Sequence, residues 1–467
     1  MIHHAMLAAV LAAETPVIRP AAHAAHAARY VRLRLDVTAY GIRGRGEIVV
    51  DRVSGAFVRR FDAGPVSERE GWDGAHAWRA DATGMARVQG NADERGAIVA
   101  WSHLLAPHAQ PCGCGLRPPE ITVDAATGSV TVAVQHVGQQ TERTTFAGYH
   151  VRRAFLAPET ITDVSDNGTW VARVRALETP ASVPASSFAP PAPPRDFALA
   201  GVLVGHLFAA SPLPVIAVSV NGAEPMRFLL DTGGQNVITP DAARRAGLKV
   251  AGSGSVGGAG AGLVKVQYAT APSVTIGPAV MRDQPFVVLD LGKSAPFDGI
   301  MGYELLARFA MRLDFAHERF ELATDGRAFD GPGVDVPFVF DERQPQIDGA
   351  LDGIPGVMTI DTGSETGIVV NAPFVQAHDL RTRYHAVASD YPISGVGGPV
   401  HAYPARGAEL RLGALHIADV PLLLTDATGG AEANPAVAAN IGVEVLRRYT
   451  LVLDYPRGVI RFETPSR

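Results

Sequence analysis

"FLLDTGGQNVITPDAARRAGL", residues 228–248, carries an apolar run into Asp231, Thr232 and Gly233, then breaks into a polar turn and a helix-like stretch. A carboxylate at the end of a buried strand is costly unless something pairs with it or shares its proton. A single carboxylate seldom performs hydrolysis, so the reading depends on whether a second one exists. It does: "VNGAEPMRFLLDTGGQNVITPDAARRAGL" (220–248) answers to "LDGIPGVMTIDTGSETGIVVNAPFVQAHDL" (351–380), which places Asp361, Thr362 and Gly363 opposite the first triplet.

The self-similarity extends well beyond the triplets. "IGPAVMRDQPFVVLD" (276–290) matches "LGALHIADVPLLLTD" (412–426), and "IMGYELLARFAMRLDFAHERFEL" from 300 matches "NIGVEVLRRYTLVLDYPRGVIRFE" from 440. The three blocks keep their order, displaced by 130, 136 and 140 positions, a drift that loop insertions produce. Within each copy, short β-branched runs alternate with turns, and one helical stretch precedes the closing strands. Each copy therefore reads as a mainly β lobe, lobe 1 over 198–335 and lobe 2 over 336–467.

If the two lobes pack about a two-fold axis, equivalent residues near that axis meet. Two carboxyls brought together cannot both ionise, so one holds a proton while the other stays charged. Such a pair can take a proton from a water between them and give one to a substrate carbonyl. The chemistry needs neither metal nor cofactor. Thr232 and Thr362 offer hydroxyls that can bond across the interface, and Gly233 and Gly363 leave room for a tight turn. Ser364 is placed to donate to its neighbouring carboxylate where Gly234 cannot, so the two aspartates are expected to be unequal. Asp314 and Asp454, in "RLDF" and "VLDY", also repeat but read as structural strand residues.

With these motifs in place, the segment from about 200 to 465 resembles the pepsin and retropepsin superfamily of aspartic peptidases in its bacterial two-repeat form. The resemblance implies a bilobal pepsin/retropepsin-like fold with Asp231 and Asp361 as catalytic residues supported by Thr232, Gly233, Thr362, Gly363 and Ser364. It also implies a turn threading past each aspartate: Ile300, Met301 and Gly302 in the first lobe, Ile441 and Gly442 after a polar Asn440 in the second. It further implies an extended peptide or protein substrate held between the lobes under mobile flaps. The Gly-rich stretches 252–262 and 394–403 stand where flaps belong, with Tyr268 and Tyr403 as candidate flap tyrosines.

Residues 30–177 read as a β-rich N-terminal domain of unknown role. "GEIVVDRVSGAFVRRFD", "AWRADATGMARVQG" and "EITVDAATGSVTVAVQHV" each show strand, Gly-containing turn, strand. That pattern resembles the curved sheets of periplasmic lipoprotein carriers, without a chemical motif to accompany it. Residues 178–197 contain "TPASVPASSFAPPAPP", whose composition predicts an extended, weakly packed linker. Residues 1–29 hold a short apolar stretch, Ala5 to Ala13, followed by small residues, which reads either as a secretory signal or as a disordered start. The expected location is periplasmic or secreted in the first case, cytoplasmic in the second.

With 47% apolar and 19% charged residues the 467-residue chain has an ordinary globular composition. Its net charge of -6, with both signs interspersed, gives no footprint for nucleic acid or an anionic membrane. No apolar run reaches the roughly 18 to 20 residues of a membrane span. Cys112 and Cys114, in "QPCGCGL", lack the further ligands of a zinc site and read as a small turn with unligated thiols. "GSGSVG" (252–257) satisfies a G-x-G-x-x-G pattern, but the residues after it read as strand rather than helix. No G-x-S-x-G nucleophile elbow occurs. The sequence thus predicts a monomeric aspartic endopeptidase with an internal pseudo-two-fold. The alternative is a catalytically inactive envelope protein that uses the same fold to capture a peptide or hydrophobic ligand. An obligate homodimer is disfavoured, because one chain already supplies both halves.

Overall fold

A computed structural model describes residues 16–21, 28–106, 119–137, 140–209, 211–292, 295–386 and 391–465. The apolar stretch Ala5 to Ala13 and the pair Cys112 and Cys114 lie outside the described residues. The chain divides into two compact units, Met1–Pro194 with Ala251–Gly254, and Arg195–Val250 with Ser255–Arg467. Among the described residues no helix is long and apolar enough to cross a membrane.

The first unit is built on an eleven-stranded sheet in which every neighbouring pair is antiparallel. Its middle strand Tyr30–Ala39 shows why: Val31, Leu33, Leu35, Val37 and Ala39 are buried in alternation with more exposed residues, the period-2 signature of a half-buried strand. The three hairpins legible in sequence all form, as Ile42–Asp51 with Phe57–Asp62, Ala77–Ala80 with Ala86–Val88, and Glu120–Val123 with Val130–Val137. A helix absent from the sequence reading, Ala92–Leu105, supplies Ile98, Trp101, Leu104 and Leu105 to the main core. Their three- and four-residue spacing is helical and could have revealed it. Trp101 packs edge-on against Phe146 at 6.2 Å between ring centroids.

The Pro-rich segment holds one 3-10 turn, Ala185–Ser187, and is anchored. Val183 and Phe188 are buried with Val49, Val58 and Trp78, and Trp78 Nε1 donates to the Phe188 carbonyl at 2.7 Å. Composition predicted weak packing, but two apolar side chains in a proline-rich stretch suffice to fasten it.

The second unit contains both repeats. Lobe 1 and lobe 2 each carry an eight-stranded sheet, and a six-stranded sheet is shared between them. In the shared sheet, Ala310–Asp314 pairs antiparallel with its repeat equivalent Thr450–Asp454, Arg312 facing Val452, so the pseudo-two-fold axis passes through this pair. Asp314 and Asp454 serve their local turns there: each accepts from a residue three positions on, His317 and Arg457 respectively.

The same local topology recurs around each aspartate. Met226–Leu230 runs parallel to Gly299–Met301, which pairs antiparallel with Val237–Ile238. Ile354–Ile360 runs parallel to Ala439–Ile441, which pairs antiparallel with Ile368–Val370. Met301 and Ile441 are fully buried, and the chain turns away immediately after them. A Cβ on Gly302 would lie 2.3 Å from the Gly234 carbonyl oxygen, and one on Gly442 would lie 2.3 Å from that of Thr366. Glycine is therefore required at both turns for this close backbone approach.

Candidate active site

Asp231 and Asp361 leave their strands with matching backbone anchors. The Asp231 amide donates to the Met301 carbonyl at 3.0 Å, and the Asp361 amide to the Ile441 carbonyl at 3.0 Å. Each carboxylate then accepts from the amide two residues on, Gly233 N–H to Asp231 Oδ1 at 2.7 Å and Gly363 N–H to Asp361 Oδ1 at 2.8 Å.

The threonines between them tie the lobes together. Thr232 N–H donates to Thr362 Oγ1 at 3.1 Å while Thr362 N–H donates to Thr232 Oγ1 at 3.0 Å. The hydroxyls in turn donate across the interface, Thr232 to the Ile360 carbonyl at 2.6 Å and Thr362 to the Leu230 carbonyl at 2.8 Å. Both threonines are 1% exposed, so water cannot replace a lost partner. Thr232→Val should lower stability by about 2 to 4 kcal/mol, because it strands a buried amide and a buried carbonyl. Denaturant unfolding checks this, and a change within measurement error would contradict it.

This crossed grip holds the two carboxyls against each other. Burial, then the neighbouring Asp361 carboxyl, pushes the Asp231 carboxyl well above the ordinary range. The two carboxyls face the same spot: a Cβ on Gly233 would lie 3.0 Å from Asp361 Oδ1 and 3.2 Å from Asp231 Oδ1. Two carboxyls brought this close disfavour ionising together, which is the sense of the rise at Asp231. Among the described residues no cation forms an ion pair with either aspartate.

The pair is asymmetric for a reason different from the one expected. Ser364 Oγ bonds Thr366 Oγ1 at 2.8 Å rather than the Asp361 carboxylate. The side-chain donor to Asp361 is Asn440, whose Nδ2 lies 2.7 Å from Oδ2. Its counterpart in the first lobe is Ile300, which has nothing to donate. Asp361 is thus the member with a side-chain donor on its outer oxygen, and Asp231 is the member whose carboxyl is pushed up. The sequence signal for this was the single polar residue at an otherwise apolar position of the repeat.

The pair opens into a cleft of about 410 Å³. Val237, Val256, Val287, Leu289 and Ile300 line its first-lobe side, and Asn371, Glu432, Asn434 and Asn440 line its second-lobe side. Gln344 Nε2 donates to the Gly233 carbonyl at 2.7 Å, supporting the turn from the adjoining hairpin. Two hairpins, Val250–Val256 with Val264–Ile276 and Tyr391–Gly395 with Gly398–Leu412, meet over the cleft. Gly260 N–H donates to the Val396 carbonyl at 3.0 Å, and Gly262 N–H to the Gly397 carbonyl at 2.8 Å. Neither candidate tyrosine lines the cleft. Tyr268 packs in an apolar cluster with Val237 and Val287, and the Tyr403 hydroxyl donates to Asp426 at 2.9 Å with the Arg381 guanidinium over its ring.

Two β lobes with an aspartate from each joined at a pseudo-two-fold axis define the aspartic peptidase class. Sequence comparison agrees: residues 216–305 and 347–445, one stretch per lobe, match the aspartyl protease family model. These two stretches are similar to the aspartyl protease family, one in each repeat. A similar solved structure is the aspartic proteinase from Irpex lacteus, at 13% identity and a TM-score of 0.40, covering 57% of this chain and 98% of that one. No curated protein sequence matches the chain significantly.

Proposed function

We propose that the chain is an aspartic endopeptidase that hydrolyses peptide bonds with a water activated between Asp231 and Asp361. The reading is carried by one observation, the two carboxyls of the repeat facing one spot, 3.0 and 3.2 Å from where a Cβ on Gly233 would stand, with no ion pair to either among the described residues. In the reaction Asp361 accepts a proton from the water as it attacks the scissile carbonyl. Asp231 donates its proton to the carbonyl oxygen, and the tetrahedral intermediate forms without charge building up on that oxygen. Collapse of the intermediate returns a proton to the leaving amine. The apolar wall and the two flap tips exclude bulk water from this exchange. Because both halves of the pair come from one chain, the active species is a monomer.

The test is hydrolysis of an unfolded protein by the wild-type chain, together with binding of a statine-type hydroxyl mimic of the tetrahedral intermediate. A peptidase cleaves the first and binds the second tightly. Folded protein that does neither would leave the fold as a capture module for peptide or apolar ligands.

The raised Asp231 carboxyl also sets a pH dependence. Its folded-state value lies above the ordinary 3.8, so the stability that its protonation contributes is complete below that value. It is lost as pH rises through the folded-state value. Thermal unfolding should therefore show wild type losing stability relative to Asp231→Asn as pH climbs above the ordinary carboxyl range. Parallel curves for the two proteins would contradict this.

A further inference from the structure

The second lobe departs from the repeat in the loop that precedes its closing turn. That loop runs from Asp426 to Ala439 where the first lobe needs only Asp290 to Gly299, so the second copy carries four extra residues beside the cleft. The loop is well fastened. Ala431 N–H donates to the Gly258 carbonyl of the first flap at 2.8 Å. Asn371 Nδ2 donates to the Ala431 and Asn434 carbonyls at 3.0 and 3.3 Å.

Between those anchors Glu432 lines the cleft while only 5% exposed. Its Oε2 is buried and has no hydrogen-bond partner among the described residues. Asn440, on the same wall, is in a like position: Nδ2 is committed to Asp361, and the buried Oδ1 has no donor. Two acceptors therefore lack donors on one side of the cleft, and a buried acceptor left unpaired costs roughly what a lost hydrogen bond costs. The acidic groups lining the cleft outnumber the basic ones. Among the described lining residues, Asp231, Asp341, Glu342, Asp361 and Glu432 face a single cation, Arg343, which itself lies 3.8 Å from Glu304.

We propose that the second-lobe wall is a recognition pocket for a lysine or arginine side chain of the substrate, with Glu432 as its specificity-determining acceptor. This rests on the peptidase reading above. An ammonium or guanidinium brings several N–H donors and a positive charge, which supplies both orphaned oxygens and offsets the excess of acid. The first-lobe wall, lined by Val237, Val287, Leu289 and Ile300, accepts an apolar neighbour. Substrates are then cut next to a basic residue that lies against the second lobe. Burial and the nearby Asp361 push the Glu432 carboxyl up to about 7, and a cation in contact is what restores its charge at neutral pH.

The experiment measures binding rather than turnover. Extended peptides in which one Lys is moved position by position through an apolar sequence are compared with norleucine counterparts, using the full chain carrying Asp231→Asn. One position should bind the Lys peptide about tenfold more tightly than its norleucine twin, the scale of one charge-assisted hydrogen bond. Adding Glu432→Gln, which keeps the volume and removes the charge, should erase that ratio, with unfolding curves confirming that the variant is folded. Equal binding of the two peptides at every position, no binding of either, or a ratio that survives Glu432→Gln each overturns the proposal. Cleavage by the wild-type chain reports separately on the aspartate pair, so an intact ratio without cleavage would sink the peptidase reading alone.

Discussion

Asp231→Asn is expected to lower hydrolysis of an unfolded protein by about 10²- to 10⁴-fold, the scale of removing a general acid–base group. The variant nevertheless stays folded. An asparagine keeps the shape of the side chain, its oxygen still accepts from the Gly233 amide, and its NH₂ donates to Asp361 without needing a shared proton. The buried, proton-dependent contact is replaced by a neutral one, so unfolding midpoints hold or rise. Asp361→Asn has the same consequence for activity, because the pair loses its second carboxyl. Parallel assays of kcat/KM and thermal unfolding separate a catalytic loss from a folding loss. Activity within tenfold of wild type in either variant would rule out a mechanism built on both carboxyls.

Gly363→Ala is the second large effect, and it acts through geometry alone. A Cβ at this position would sit 2.5 Å from Asp231 Cγ and 2.6 to 2.7 Å from its two oxygens. The Asp231 side chain must swing away from Asp361, which separates the pair while leaving both carboxyls in the chain. Cleavage should fall about as far as in Asp231→Asn. The extra pH dependence of stability should shrink with it, since a separated Asp231 titrates more ordinarily. Gly233→Ala is the internal comparison: its Cβ would approach the Asp361 carboxyl only to 3.0 Å, so its loss is smaller. Equal activity in wild type and Gly363→Ala would mean that contact between the carboxyls is not needed.

Much of the second unit was legible because the chain says the same thing twice. A lone Asp-Thr-Gly is weak, but two in aligned blocks put Asp231, Thr232 and Gly233 on one side of an axis and their equivalents on the other. The turns at Gly302 and Gly442 followed from the same alignment, and their close backbone approaches explain why no other residue fits. Where the copies differ, the reading lost its footing. Ser364 looked like the donor to Asp361 because it is adjacent in sequence, yet its hydroxyl is taken by Thr366 and the donor arrives from Asn440, seventy-nine residues on. Glu432 lies in the insertion that has no counterpart, so no repeat could point to it. Tyr268 and Tyr403 were selected by position in a hairpin, but Tyr268 packs in the apolar cluster behind the cleft lining and Tyr403 bonds Asp426, and neither lines the cleft.

The first unit shows the complementary limit. Alternating apolar residues revealed its hairpins, since a strand with one buried face writes its period directly into the sequence. The helix Ala92–Leu105 went unseen because its polar first turn and the Gly96 that follows mask a buried face formed mostly by its second half. The burial of Val183 and Phe188 depends on Trp78, about a hundred residues earlier, and proline-rich composition says nothing of so distant a partner.

The central claim is that duplication presses two carboxyls together until they hold one proton in common. The most direct measurement is a ¹³C carboxyl NMR titration of aspartate-labelled wild type against Asp231→Asn and Asp361→Asn. Wild type should show an aspartate carboxyl that keeps its proton well above the ordinary carboxyl range, and that signal should disappear or return to the ordinary range in either variant. A wild-type spectrum in which both residues are ionised by the end of that range would contradict the account.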